Sequence, residues 1–233
     1  MASVCARALR TKYDNVDALT LPGHRATLER VPDFDDVLID LGEPVGDVAA
    51  VLQARAYAAA IVTWATARTA GIALAARIPV RAGQSRRLYS GKFTHRVAVR
   101  SERGDVTTHW SQVLLDYARA IGCDTTDTWP RLALKDDDRG QAAQLLARHE
   151  TAGAFAIVHP TSAVSPARPV WPLEGWIELV RALQARHELP VFITGTEEDE
   201  AIAQGLAKAT GAVCVAGATS IGGFAALAQR AAF

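Results

Sequence analysis

Three short segments in the second half of the chain combine hydroxyl, glycine and acidic residues in ways that suit a phosphorylated ligand. They are His159-Pro160-Thr161-Ser162, the run from Gly195 to Glu200, and Gly217-Ala218-Thr219-Ser220. The hydroxyls of Thr161 and Ser162, with their backbone amides, can hold phosphate oxygens; the same residues also make ordinary turns. Asp199 offers a carboxylate acceptor, but it stands among Glu197, Glu198 and Glu200, and an acid-rich helix start has the same composition. Gly217 lets the backbone approach a ligand or simply punctuates a turn, and Thr219 and Ser220 also suit the capping of a following helix. His159 precedes a proline at a strand end and is read as structural rather than as a base. Trp171 and Trp176 are read as packing anchors at a helix start.

A fourth segment has different chemistry. From Arg81 to Arg96 the chain carries Arg81, Arg86, Arg87, Lys92, His95 and Arg96, six positive or potentially positive groups in sixteen residues. Such a stretch attracts an anionic partner, although a solvated surface loop is also consistent with it.

The elements that must position these residues alternate. Residues 154–160 form a short apolar run closed by Pro160, and a helix opens at Trp171-Pro172 and runs to about His187. A second buried run spans 189–195, followed by a helix, a strand and a last helix over 221–230. Strands alternating with helices imply a parallel sheet with crossover helices, and ligands of such sheets sit at the carboxyl ends of the strands. The three polar segments fall at those ends. The first half reads the same way. Helices are expected over 2–13, 26–31, 45–55, 66–77 and 107–121. Strands are expected over 16–21, 36–40, 59–64 and 78–83, the last leading into the basic loop. The polar stretch 123–138 reads as a hinge, dividing the chain into domains 1–135 and 136–233. Asp136-Asp137-Asp138 is read as a solvated helix start, with Asp138 capping a helix over 139–150, rather than as a metal site.

Composition narrows the function. Acids and bases balance at 25 each, which argues against bulk nucleic-acid binding. The apolar fraction of 49% fits a folded core rather than a disordered chain. Cys5, Cys123 and Cys214 are widely spaced and odd in number, which fits buried thiols in a reducing cytoplasm better than disulfides or a zinc site. No apolar run reaches the ~20 residues of a membrane-spanning helix. Neither a Gly-x-Gly-x-x-Gly fingerprint nor a phosphate-binding Gly-x-x-x-x-Gly-Lys loop occurs. No metal and no cofactor is expected.

The order His159-Pro160, Trp171-Pro172, Thr194-Gly195 with Asp199, then Ala216-Gly217-Ala218-Thr219-Ser220-Ile221 resembles glycosyltransferase family 9, the heptosyltransferases of lipopolysaccharide core synthesis. The resemblance implies an α/β fold with two Rossmann-like domains of the GT-B type. It implies an ADP-sugar donor bound by the C-terminal half, and an anionic glycolipid acceptor met by the N-terminal half at the cytoplasmic face of the inner membrane. The reaction implied is inverting, metal-independent transfer of a heptose or similar sugar. Residue by residue, Thr161, Ser162, Gly217 and Thr219 fall on the donor site and Asp199 on the acid that contacts the ribose, a carboxylate accepting from a vicinal diol. Arg168 falls near the basic residue that meets the diphosphate, though here Pro169 and Val170 occupy the family's usual place for it. Arg68, Arg86, Arg87, Lys92 and Arg96 fall on the acceptor side.

Both halves are expected to be incomplete. Family members open with a strand and a Gly-Asp turn whose Asp is the proposed base, so no catalytic residue is assigned here. Beyond the position of Phe233 they carry an Asp-Ser/Thr-Gly-x-x-His segment that binds the diphosphate. A non-catalytic nucleotide-binding module and an unrelated α/β protein are the alternative readings.

Overall fold

The computed structural model describes residues 3–160 and 171–233. Thr161, Ser162 and Arg168 lie outside the described residues. The chain divides into two compact units, Met1–Ala133 and Leu134–Phe233.

In the first unit, helix α1 (Ser3–Leu9) leads to strand β1 (Ala18–Thr20), a 3-10 turn with the short helix α2 (Arg25–Leu28), and β2 (Val37–Ile39). Then come α3 (Val45–Ala54), β3 (Ala59–Val62), α4 (Ala67–Ala75), β4 (Val80–Gln84), β5 (His95–Val97) and α5 (Trp110–Arg119). β1 pairs with β2, and β3, β4 and β5 pair in that order, all in parallel. One face of the β3–β5 sheet is covered by α1 and α5, where Val4, Cys5, Ala8, Leu114, Leu115 and Ala118 bury against Ala82. A second core joins α3 to α4 through Val48, Leu52, Ile72 and Ala76. Helix α4 starts on a reciprocal cap: Thr66 Oγ1 accepts from Thr69 N at 3.1 Å and Thr69 Oγ1 from Thr66 N at 2.9 Å, satisfying two donors the first turn would leave open.

The expected basic loop is corrected here. Between β4 and β5 the chain crosses over in ten residues, 85–94, around a 3-10 turn (Leu88–Lys92), and Arg96 belongs to β5. Parallel strands usually need a longer, helical crossover. This short one is held by many bonds: Ser90 Oγ donates to Gln84 O at 2.7 Å, Arg81 Nε to Lys92 O at 2.8 Å, and Tyr89 Oη to Ala65 O at 2.6 Å. Strand β5 is three residues long with a single apolar position, so periodicity gave it no signal.

The second unit contains α6 (Asp136–Arg148), β6 (Ala156–Val158), α7 (Leu173–His187), β7 (Val191–Ile193), α8 (Glu200–Thr210), β8 (Val213–Cys214) and α9 (Ile221–Arg230). Its sheet is parallel in the order β6-β7-β8. Alternate residues face opposite layers, as strand geometry requires. Val191 and Ile193 join α7 and α8 through Val180, Ala203 and Leu206, whereas Phe192 joins α6 and α9 through Leu145, Leu146 and Leu227. Both faces are therefore covered, which explains the near-continuous apolar strands. Beyond α9 the chain returns to the other edge of β6, where Ala232 N donates to Phe155 O at 2.8 Å and Phe233 O accepts from Ile157 N at 3.0 Å. The spatial order is thus β8-β7-β6 followed by the terminal segment, which places a reversal of strand order beside β6.

Helix α6 starts three residues earlier than expected. Asp138 sits inside its first turn, fully buried, and Lys135 N donates to its Oδ2 at 2.9 Å. The three acids lie in the first turn, where the helix dipole favours them.

Gly83 in β4 lies under the ring of the buried Phe93, and a Cβ there would stand 2.3 Å from Phe93 Cζ. Gly83→Ala should therefore overpack this contact and lower stability by about 1–3 kcal/mol. A urea melt checks this; an unchanged midpoint would mean that the ring yields freely.

Candidate functional site

In the second unit the parallel ladder continues past the strand ends. Thr194 N donates to Val158 O at 2.9 Å, Val215 N to Ile193 O at 2.8 Å and Gly217 N to Gly195 O at 3.0 Å. These bonds gather His159, Gly195 and Gly217 at the carboxyl edge of one sheet. His159 Nδ1 shares a hydrogen bond with Thr194 Oγ1 at 3.0 Å, so the imidazole is tied to the neighbouring strand end, in keeping with a structural residue. Asp199 lies in a 3-10 turn (Glu197–Asp199) ahead of α8. Its Oδ2 accepts from Thr196 N at 2.8 Å and from Thr196 Oγ1 at 2.7 Å, fixing the carboxylate beside Gly195, where a Cβ would meet Asp199 Cβ at 2.8 Å.

Gly217 has φ +69°, and a Cβ there would lie 2.9 Å from Glu197 Cγ. Conformation and close approach both demand glycine. Helix α9 is capped by Ser220, whose Oγ accepts from Gly223 N at 3.1 Å; Thr219 takes no part in the cap and makes no side-chain hydrogen bond among the described residues. Trp171 and Trp176 meet edge to face at 4.9 Å, with Trp171 packed over Gly175, which agrees with their reading as anchors.

In the first unit the basic candidates divide. Arg68, in α4, is committed to the buried Asp40 just past β2: Nε donates to Oδ2 at 3.0 Å, Nη2 to Oδ1, and Nη2 also to Glu43 O at 2.7 Å. Only its Nη1 remains without a partner among the described residues. Arg87 Nη2 pairs with Glu102 at 3.0 Å, Arg86 Nη1 donates to Glu102 O at 3.2 Å, and Lys92 Nζ donates to Ala67 O at 3.3 Å. Arg96 is exposed and makes no side-chain bond among the described residues.

A cavity of about 390 Å³ opens at the carboxyl ends of β3, β4 and β5, a size usual for small-ligand sites. Its lining includes Trp64, Gln84, Arg87, Glu102, Trp110 and Tyr117. Of these only Arg87 was singled out in the sequence. Glu102 was hidden because β5 gave no signal, and without that strand the residues after it had no sheet end to belong to. The turn before α5 is set by Asp105, which accepts from Thr108 Oγ1 at 2.6 Å and Thr108 N at 3.0 Å; these bonds push its pKa down to about 2.

Burial raises the Cys5 thiol to about 12 and the Cys123 thiol above its usual value. Neither is a nucleophile near neutral pH. Among the described residues, no three His, Cys, Asp or Glu side chains gather as a metal site, and no helix is long and apolar enough to cross a membrane.

Parallel sheets with covering helices, whose polar segments converge at the strands' carboxyl ends, define a doubly wound α/β protein. The profile of glycosyltransferase family 9 (heptosyltransferase) matches residues 45–233, and the chain belongs to that family. Solved structures agree in fold. ADP-heptose LPS heptosyltransferase II of Escherichia coli superposes with a TM-score of 0.76 at 16% identity, over 99% of this chain and 72% of that one. A family 9 glycosyltransferase of Veillonella parvula gives 0.80 at 18%, over 99% and 69%. The E. coli heptosyltransferase WaaC, solved with ADP, gives 0.66 at 18%, over 99% and 74%. No curated protein sequence matches.

The Arg68–Asp40 pair has a pH signature. Hydrogen bonding from Arg68 holds the Asp40 carboxyl below its ordinary value of 3.8 in the folded protein. A depressed carboxylate contributes stability that is present above the unfolded-state pKa and lost as pH falls through the folded-state value. Asp40→Asn should therefore cost stability at about pH 7, and the gap from wild type should narrow towards about pH 3. Urea melts at both values check this; an equal gap at both would show that the ionised carboxylate contributes nothing.

Proposed function

We propose that this chain transfers a heptose or similar sugar from an ADP-sugar to a lipopolysaccharide core or related glycan acceptor, by an inverting, metal-independent reaction. The second unit holds the donor and the first unit the acceptor. The observation that carries this reading is the carboxyl edge of β6–β8, where a ladder bond brings Gly195 and Gly217 together and Asp199 is fixed beside Gly195. That is where ligands of open α/β sheets bind. WaaC, whose fold this chain shares, was solved with ADP and with ADP-2-deoxy-2-fluoro heptose.

In this reading Asp199 accepts from the ribose hydroxyls, its orientation already set by Thr196, and Gly217 lets the nucleotide lie against the backbone. Thr219, whose hydroxyl makes no bond among the described residues, offers it to the diphosphate, together with Thr161, Ser162 and Arg168. On the acceptor side Arg86, Arg87, Lys92, Arg96 and Arg68, whose Nη1 has no partner among the described residues, attract the anionic groups of a glycolipid at the inner face of the membrane.

Calorimetry should show ADP binding by the whole chain, and Asp199→Ala should weaken it about tenfold or more, the loss of a charge-assisted bond. Unchanged affinity would remove the ribose assignment. In a transfer assay with ADP-heptose, replacing Arg86 and Arg87 together by alanine should lower acceptor use about tenfold and leave ADP binding intact. An unaltered transfer rate would overturn the acceptor assignment, and ADP binding without any turnover would make the chain a nucleotide-binding module.

A further inference from the structure

The chain between β8 and α9 is held at two points. The first is the ladder, through Gly217 N to Gly195 O at 3.0 Å. The second is a side chain from a distant element. Gln141, in the second turn of α6, accepts at Oε1 from Ser220 N at 3.1 Å and from Ser220 Oγ at 2.9 Å, across 79 residues of sequence. Ser220 Oγ in turn accepts from Gly223 N at 3.1 Å and caps α9. Gln141 therefore reaches the first turn of α9 through a relay of hydrogen bonds.

That turn has no buried apolar side chain of its own to anchor it. Ser220 and Ile221 are exposed, and Gly222 and Gly223 have no side chain. Apolar packing against α6 begins a turn later, at Ala226 and Leu227. Gly223 also belongs to the relay. A Cβ there would lie 2.4 Å from Gln141 Oε1 and 3.1 Å from Gln141 Cβ. Glycine weakens a helix; here it leaves the room through which the amide reaches Ser220.

The segment between the two points carries Gly217 and Thr219, both used by the proposed donor site. Gly217 is fixed by the ladder, whereas Thr219 stands next to Ser220 and depends on the second hold. We infer that Gln141 is a positioning residue for sugar transfer: by holding Ser220 it sets where Thr219 stands relative to the diphosphate of the donor. The inference rests on the donor role proposed for this unit and adds to it a residue that acts through Ser220.

The test compares two variants of the full chain. Gln141→Met keeps the length of the side chain and loses the acceptor. Leu146→Val thins the core of the same helix, where Leu146 is buried. Calorimetry with ADP and saturation-transfer NMR with adenosine read binding, and urea melts read stability. Both variants should lower the urea midpoint. Gln141→Met should weaken ADP about fivefold, the scale of one neutral hydrogen bond, and leave adenosine within about twofold of wild type. Leu146→Val should bind both as the wild type does. Amide exchange followed by NMR at Ser220 and Gly223 should quicken in Gln141→Met. It should stay slow in Gln141→Glu, which keeps an oxygen for Ser220 to donate to. Wild-type ADP affinity in Gln141→Met, equal loss of ADP and adenosine, the same loss of ADP in Leu146→Val, or unchanged exchange at both amides would overturn the inference and leave the donor assignment standing. No ADP binding by the wild-type chain would reject the donor assignment, and the inference with it.

Discussion

A parallel ladder only two or three residues long must be held in register by what lies just past its ends. In the second unit that task falls to backbone bonds beyond β7 and β8, above all Gly217 N to Gly195 O. They require two glycines. Gly195 has Asp199 against it, and Gly217 has a positive φ and Glu197 against it. The close packing that registers the sheet therefore also brings an acid-rich turn to its carboxyl edge. A side chain at either glycine would push the turn away and open the ladder.

The first unit meets the same constraint differently. Its β4–β5 crossover has no α-helix, and side chains take over the holding: Arg81, Ser90 and Tyr89 bond to backbone carbonyls, and Phe93 fills the space over Gly83. Arginines that look like binding residues in the sequence are partly consumed by this architecture. Arg68 clamps the buried Asp40, and Arg87 is shared with Glu102. Charge in this unit is mostly internal bookkeeping, and the cavity it encloses is polar without being cationic.

Most of the α/β order was legible because apolar runs with helical or continuous patterns dominate both units, and the glycosyltransferase family could be read from segments that lie at strand ends. What escaped was short or non-periodic. Strand β5 holds three residues, and without it the cavity containing Glu102 could not be placed. The start of α6 was misjudged because capping chemistry had two solutions. Asp138 lies inside the first turn of α6 rather than ahead of it, whereas at α9, whose bounds were legible, the two candidate caps Thr219 and Ser220 resolve to Ser220. Composition cannot choose between neighbouring hydroxyls or neighbouring acids; only the backbone path does. Pairing of Arg68 with Asp40, 28 residues away in sequence, was likewise invisible to local pattern.

The central claim is that the carboxyl edge of β6–β8 is the nucleotide site. Hydrogen–deuterium exchange with and without ADP tests it most directly, because it reports where the ligand sits without altering any residue. The account predicts slower exchange at the amides of 195–200 and 216–220, with the first unit unchanged. Protection confined to the ends of β3–β5, or no protection at Gly195 and Gly217 when ADP is bound, would contradict it.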